Sequence, residues 1–472
     1  MYLKKAHIHF MGIGGIGMSG IAKILKCQGY MISGCDLSSD QQSVQELIDI
    51  GCQISNQHCA EICTDSSIEI LVYSSAIKAN NPEILAAQAR NIPIIPRAVM
   101  LAELMRTKYG ISITGAHGKT TTTSMISQIL IEAGMNPTVI IGGHLKSIST
   151  NAQLGAGDFL VAEADESDRS LLHLQSTIAV VTNIDLEHLE TYKDLDDIKN
   201  TFKQFLNNLP FYGKAIVCID DANVRSILPL PLVRTLRYGT TSEADIYATE
   251  IKLEIAHSTC IVWQKDLKLG NIKLGELQVN MPGRHNILNA LAAVTVALDL
   301  DIKFNIIANA LKNFKGIQRR FSYHGNFKGA EVFDDYGHHP NEIINTLLVA
   351  RKRAKNKLHV VFQPHRYTRT DKLWQQFIDT FVDHPVDNLI ITDIYPASEA
   401  PIPNVTGARL VSELQLANPK LQVSYLPIDQ DFDTIINQLK NQVAPDDLIL
   451  LLGAGQVNKI AKIFTQTQKD TP

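Results

Sequence analysis

Ile111-Ser112-Ile113-Thr114-Gly115-Ala116-His117-Gly118-Lys119-Thr120-Thr121-Thr122-Thr123-Ser124 is the stretch on which the fold of this chain turns. Its apolar start reads as a short strand, its two glycines as a tight loop, and the apolar spacing from Ser124 to Leu130 as a helix. Glycines let backbone N–H groups close on an oxyanion, and a helix N-terminus adds a favourable dipole. Lys119 has the reach for a β- or γ-phosphate, and the Thr120 hydroxyl suits Mg²⁺. The usual phosphate loop leaves four residues between its first glycine and Gly-Lys. Here only Ala116 and His117 separate Gly115 from Gly118, and Ile113 stands where that first glycine would be. An ordinary strand–turn–helix with a solvated lysine fits the same letters. The junction placement of Gly-Lys-Thr favours a nucleotide triphosphate. Gly115, Gly118, Lys119, Thr120 and Thr121 are therefore the candidate nucleotide-binding residues.

A second glycine-rich turn stands nearer the start. The strand Ala6 to Met11 runs into Gly12-Ile13-Gly14-Gly15-Ile16-Gly17, a G-x-G-x-x-G fingerprint between strand and helix. Asp36 follows the next strand, where a carboxylate would reach a ribose hydroxyl. The pattern predicts a diphosphate-bearing nucleotide without saying which, since NAD, FAD and UDP-sugars all present one. A turn that has lost its ligand would read alike. Ile70 to Tyr73 is a strand ending in Ser74 and Ser75, and Arg97 follows another; these suit phosphate or sugar contact, though a solvated arginine is equally compatible.

The middle of the chain keeps the strand–helix rhythm. Phe159 to Ala162 is a strand with Glu163-Ala164-Asp165-Glu166-Ser167-Asp168 at its end. Carboxylates there suit a Mg²⁺–nucleotide, or a solvated acidic loop. The strand Ile178 to Thr182 is followed by Asn183 to Glu190, which places His188 among acids as a second candidate ligand. The alternation from Ile246 to Val262 predicts an antiparallel addition to the sheet. Asn286 and Asn289 open an Ala/Leu helix, and could read an adenine edge or cap the helix. In the last third, polar residues again gather after strands: Asp334 to Pro340 after Glu331–Phe333, and Gln363 to Thr370 after Leu358–Phe362. Arg366 and Arg369 suit a carboxylate or phosphate.

At 472 residues the length suggests about three domains. We expect an α/β protein with a Rossmann-like N-terminal domain over 1–106, a central P-loop ATPase-type domain with a mixed sheet over 107–314, and a Rossmann-like C-terminal domain over 315–472. A composition of 45% hydrophobic and 19% charged residues is that of a soluble globular protein. The net charge of −4 argues against nucleic acid or an anionic membrane as a bulk partner. No 18-residue apolar window reads as a membrane span, and the start leads into a strand rather than a signal peptide. Seven scattered cysteines, with Cys59 and Cys63 four apart but no second pair, read as reduced thiols of a cytoplasmic protein.

Together the motifs resemble the Mur ligase family of ATP-dependent amide-forming enzymes, over essentially the whole chain. Gly12 to Ala22, Ser74 to Ile77, Thr114 to Thr123, Ala162 to Asp168, Asn183 to His188, Gly283 to Asn289, Asp334 to Pro340 and Phe362 to Thr370 carry the resemblance. The short phosphate loop is itself the family's form. Within the family, the resemblance points to the branch joining L-alanine to the carboxylate of UDP-N-acetylmuramate in peptidoglycan precursor synthesis, with ATP and Mg²⁺. It implies that Lys119 holds the phosphates, that Thr120, Glu163 and His188 serve the metals, and that Asn289, Arg320 and Asp335 contact the nucleotide. The turn Gly12, Gly14, Gly15 and Gly17, with Asp36, Ser74, Ser75 and Arg97, would bind the UDP-sugar. His338, Arg366 and Arg369 would lie toward the sugar carboxylate and the amino acid, and Lys119, His188, Arg320 and His338 form the catalytic set. Where the family commonly has Asp-His-Met-Asp, this chain has Glu187-His188-Leu189-Glu190, so the metal role of His188 is kept while its neighbours change. Some relatives carry a carbamylated lysine, and Lys203 lies in a suitable helix. Competing expectations are a ligase for a recycled tripeptide, a nicotinamide-dependent dehydrogenase using the first turn, and a non-catalytic nucleotide switch.

Overall fold

A computed structural model describes residues 5–38, 41–58, 65–74, 77–145, 150–188, 190–266, 268–317, 319–384, 386–397 and 399–467. Ser75, Cys59 and Cys63 lie outside the described residues. The chain divides into two compact units, Met1–Gly316 and Ile317–Pro472.

The first unit holds two sheets. One is a parallel sheet of β1 (His7–Met11), β2 (Met31–Cys35), β3 (Gln53–Ser55), β4 (Ile68–Tyr73) and β5 (Ile94–Pro96), in the order β3-β2-β1-β4-β5. The order reverses beside β1, and the crevice outside the strands' C-terminal ends at such a switch point is where α/β sheets bind ligands. The second sheet has ten strands: β6 (Tyr109–Thr114), β7 (Thr138–Leu145), β8 (Thr150–Gln153), β9 (Phe159–Glu163), β10 (Ile178–Val181), β11 (Lys214–Cys218), β12 (Arg234–Gly239), β13 (Ile246–Leu253), β14 (Ser258–Asp266) and β15 (Gly270–Val279). Its parallel centre places β6 between β9 and β10, so the phosphate loop leaves from the middle of the sheet. The antiparallel addition expected from Ile246 is a three-stranded meander, β13 to β15. Its last strand, Gly270–Val279, lacks the clean apolar alternation by which an isolated sequence shows a strand.

The two sheets share one core. Helix Ile16–Cys27, which follows the first glycine turn, buries Met18, Ile21, Ala22, Ile24 and Leu25. Gly20 brings it so close to the ten-stranded sheet that a Cβ there would lie 3.2 Å from Ala152 Cβ. Asn151 donates to the Ile16 carbonyl at 2.7 Å, tying the start of that helix to β8.

The second unit is a six-stranded sheet of β16 (Ser322–Phe327), β17 (Ala330–Asp335), β18 (Leu358–Phe362), β19 (Asn388–Ile391), β20 (Val423–Tyr425) and β21 (Leu448–Leu452), in the order β16-β17-β21-β18-β19-β20. Only β16 runs antiparallel. Its central β21, Leu-Ile-Leu-Leu-Leu, is buried throughout, as a strand covered on both faces must be. The fold class is thus the expected three-sheet α/β arrangement. No described helix is long and apolar enough to cross a membrane.

Candidate active site

The phosphate loop is shaped by two glycines in conformations that side chains avoid. Gly115 has φ +136° and Gly118 φ +85°. A Cβ on Gly115 would lie 2.1 Å from Thr182 Oγ1, and one on Gly118 2.5 Å from Asn289 Oδ1. The strand next door holds the loop. The His117 amide donates to Asn183 Oδ1 at 2.8 Å, while Thr182 Oγ1 and Asn183 Nδ2 donate to the His117 carbonyl at 2.6 and 2.9 Å. Gly115→Ala is therefore expected to destabilise the protein by about 2–3 kcal/mol, from steric overlap and backbone strain. Urea unfolding measures this, and a loss under about 0.5 kcal/mol would show that the loop adapts.

Lys119 opens helix Lys119–Glu132. Its ammonium donates to the carbonyls of Gly115 (2.6 Å) and Ala116 (3.2 Å) and to Glu166 Oε1 (2.8 Å). Burial works against the charged form, but Glu166, with Asp165 and Glu187, outweighs it and holds Lys119 above its usual range. Thr120 and Thr121 lie in the same first turn, Thr121 buried. Asn289 is buried on helix Arg284–Asp299 and touches Gly118. Gly283, not Asn286, is the N-cap of that helix; Asn286 sits in its first turn and donates to the Pro282 carbonyl at 2.7 Å.

Glu166, Glu187 and His188 bring ligand atoms within 4.8 Å of one another. His188 Nε2 is 3.4 Å from both Glu166 Oε1 and Glu187 Oε2, and its Nδ1 is 3.5 Å from Glu190 Oε1. Burial alone would lower His188, but hydrogen bonds to Glu166 and Glu190 and the charges of Glu166 and Glu187 raise it to about 9. Glu166 is 4% exposed, and its Oε2 has no hydrogen-bond partner among the described residues. An orphaned carboxylate oxygen beside an imidazole and a second carboxylate is a donor set that fits a hard divalent cation such as Mg²⁺. Glu163 is placed apart from this cluster: its carboxylate accepts from the Gly142 amide at 2.7 Å. Sequence reasoning did not single out Glu166, Glu187, Thr182 or Asn183. Their signal was position alone, since all follow β9 or β10, the strands flanking β6.

A cavity of about 330 Å³ joins the two glycine turns. Gly15, Gly17, Ser74 and Arg97 line one wall and Lys119, Gly142, Glu163 and Asp165 the other. Arg97 Nη2 donates to Asp165 Oδ2 at 3.1 Å, and Gly17 leaves room for that guanidinium, since a Cβ would sit 2.7 Å from Arg97 Nη1. Asp36 accepts from the Gly14 amide (2.8 Å) and the Ser38 amide (3.0 Å), so its contacts hold the first turn itself. Gly12, φ +73°, starts that turn beneath Ser74. Lys203 is exposed on helix Leu195–Asn207.

In the second unit, polar residues collect after β17, β18 and β21. Asp335 is buried and already engaged: it accepts from the amides of Phe321 and Gly337 at 2.7 Å each, and burial raises its pKa. Those contacts make it a clip for the backbone on either side. Arg319 reaches the Gly453 carbonyl at 2.8 Å and lies over the Tyr336 ring; Arg320 lies 3.5 Å from Glu342 Oε1. His338 and His365 have ring centroids 5.5 Å apart. Arg369 Nη1 lies 3.4 Å from His365 Nδ1, and Arg366 pairs with Glu399 at 3.7 Å. Burial, then the nearby Arg369, lowers His365 to about 4; burial lowers His338 to about 3, opposed by Glu342 and aided by Arg369 and His365. His365 was not among the expected site residues, although it stands between the strand end and Arg366.

Both imidazoles are thus neutral near pH 7, while their unfolded counterparts bind protons below 6.5. Stability is complete above pH 6.5 and is lost as pH falls from there toward 4. His365→Gln should flatten this slope in urea unfolding at stepped pH; an unchanged slope would show that His365 is already solvated.

A phosphate loop on one sheet, opening into the same cavity as a dinucleotide-type glycine turn on another, defines a phosphate-loop nucleotide-binding α/β protein. Comparison with known proteins narrows this. Residues 7–109 match the Mur ligase family catalytic domain, 113–297 the Mur ligase middle domain, and 319–455 the Mur ligase glutamate ligase domain. The chain belongs to the Mur ligase family. It is 48% identical over 98% of its length to a UDP-N-acetylmuramate–L-alanine ligase of Geobacter sp. (strain M21), of which 97% is covered. A ligase of the same name from Geotalea daltonii is 47% identical, with both chains covered in full. Among solved structures, UDP-N-acetylmuramate-alanine ligase MurC from Thermotoga maritima superposes with a TM-score of 0.80 at 24% identity, covering 99% of this chain and 100% of that one.

Proposed function

We infer that this chain joins L-alanine to the carboxylate of UDP-N-acetylmuramate, converting ATP to ADP and phosphate. The observation that carries the reading is the full-length likeness, at 47–48% identity, to relatives bearing that activity in their names. The cavity between the glycine turns supports it, because it brings diphosphate-type backbone, Arg97 and Lys119 to one place.

In this reading the turn Gly12–Gly17, with Ser74 and Arg97, receives the UDP-sugar, and Asp36 acts by holding the turn. Gly115, Gly118, Lys119, Thr120 and Thr121 bind the triphosphate, and Asn289 lies toward the base. Thr120 and Glu163 would serve Mg²⁺ at the triphosphate, and His188, with Glu166 and Glu187 beside it, would hold a second Mg²⁺. When bound, the metal neutralises charge on the phosphates. The sugar carboxylate oxygen attacks the γ-phosphorus and the bond to ADP breaks, giving an acyl phosphate. The alanine amine then attacks the acyl carbon, loses a proton and expels phosphate. Lys119 stabilises charge on the transferred group. Arg320, Asp335, His338, Arg366 and Arg369 are assigned to the second unit's share of nucleotide, sugar carboxylate and amino acid. Neutral His338 and His365 leave the arginines as the cations there. The three domains of the reaction are 1–106, 107–314 and 315–472.

ADP release with UDP-N-acetylmuramate, comparing L-alanine with the tripeptide, tests the assignment. We expect release that depends on both the sugar and L-alanine. Preference for the tripeptide would overturn the choice of amino acid, and release without the sugar would overturn the ligase reading.

A further inference from the structure

The N-terminal sheet buries a second cluster of ionisable side chains, apart from the phosphate loop. His9 lies on β1, Cys35 ends β2, His58 follows β3, and Glu83 opens helix Pro82–Ala89. His9 Nε2 is 3.1 Å and Cys35 Sγ 3.3 Å from Glu83 Oε2. His58 Nδ1 is 3.0 Å from Cys35 Sγ and 3.0 Å from Glu83 Oε1. Glu83 and Cys35 are wholly buried and His9 nearly so, while the His58 ring is 15% exposed. Ligand atoms of His9, Cys35 and Glu83 thus lie within 4.8 Å of one another, and His58 Nδ1 closes on the sulfur and on the second carboxylate oxygen from a fourth segment.

We propose that His9, Cys35, His58 and Glu83 form a binding site for a zinc-class divalent metal ion, distinct from the nucleotide's Mg²⁺.

A tetrahedral zinc ion with bonds of about 2.0–2.3 Å sets its ligand atoms about 3.3–3.6 Å apart. The contacts of 3.0–3.3 Å need to open by only a few tenths of an ångström. The donor set is soft enough to discriminate against Mg²⁺, which prefers oxygen ligands. A thiolate and a carboxylate also neutralise the ion's two charges, as a buried site requires.

The surroundings match a metal site as well. His9 Nδ1 is hydrogen-bonded to Ser33 Oγ at 2.8 Å, which orients the ring with Nε2 toward Cys35 and Glu83. Ser33 Oγ is also 2.8 Å from His7 Nε2, and His7 Nδ1 is 2.7 Å from Ser67 Oγ, so the orienting chain extends outward. The partly exposed His58 ring supplies an entry. Burial, then Glu83, raises the Cys35 thiol above its ordinary range, so it enters the reaction as S–H. Binding forms a metal–sulfur bond and releases that proton to solvent. The ion would pin β1, β2, the segment after β3 and the helix together. The Cys35 carbonyl accepts from the amides of Gly12 (2.8 Å) and Ile13 (3.1 Å), so the staple sits directly behind the first glycine turn.

The test is a Co²⁺ titration of the full-length protein after chelator treatment, in excess Mg²⁺. We expect one equivalent to bind with a thiolate-to-cobalt charge-transfer band and intense tetrahedral visible bands, both abolished by Zn²⁺. Cys35→Ser should remove the charge-transfer band, and His58→Gln, which leaves the buried groups in place, should weaken binding about 10–100-fold. Zn²⁺ should raise the melting temperature of the parent protein and not that of Cys35→Ser. Absence of a thiolate band, a band that persists in Cys35→Ser, or displacement by Mg²⁺ would each overturn the proposal.

Discussion

Lys119→Ala is expected to lower ligation by about 10³-fold or more, since it removes the one side-chain cation in the first helical turn of the phosphate loop. The same substitution should also destabilise the protein. From the sequence, a lysine at a loop-to-helix junction would be solvated, and its loss would leave stability nearly intact. In the fold its ammonium lies 2.8 Å from Glu166, whose side chain is only 5% exposed. Alanine would leave that carboxylate with His188 as its remaining close cation. Leaving a buried charged group under-compensated costs about 1–3 kcal/mol. Single-turnover ADP release and urea unfolding read the two effects separately. Unchanged turnover would sink the catalytic assignment, and unchanged unfolding would show that the Lys119–Glu166 pair is already solvated.

Glu166→Gln is the second large effect, with turnover expected to fall about 10²-fold. Glutamine keeps the volume and removes the charge that faces both Lys119 and His188. In the parent protein His188 is held at about 9, above its ordinary 6.5. Its folded pKa is raised, so the associated stability is complete below pH 6.5 and is lost as pH climbs through about 9. In the variant His188 should titrate nearer 6.5, and that window should narrow. The ring signal of His188, followed by NMR across pH without added metal, reports this directly. A titration still centred near 9 would show that Glu187 and Glu190 alone set it. The Mg²⁺ concentration needed for half-maximal rate should rise in parallel, as expected of a lost donor.

Both effects depend on the order in which strands lie. β6 is flanked by β9 and β10, so Glu166, far from Lys119 in the chain, meets its ammonium, and Glu187 and His188 gather beside that carboxylate. The acidic run was visible as letters, yet Glu163 was the residue chosen from it. The fold instead turns Glu163 to the Gly142 amide and sends Glu166 to Lys119. Asp335 shows what the letters omit: the family resemblance assigns it to the nucleotide, and in place its carboxylate also accepts from two amides.

What the sequence determined by itself was local. A strand, a glycine turn and a helix start are consecutive residues whose backbone torsions are set by those residues, so Gly12–Gly17 and Gly115–Lys119 were legible as strand–turn–helix junctions, as was the α/β class. What the tertiary structure alone decided was which distant side chains face one another. The cavity between the two glycine turns, the Lys119–Glu166–His188 arrangement and the His9–Cys35–His58–Glu83 cluster each assemble groups from separate segments of the chain. Their placement follows from strand order and packing, which no single stretch of the chain encodes. The cysteine spacing that argued against a zinc set could not reveal a site whose four donors come from four different elements.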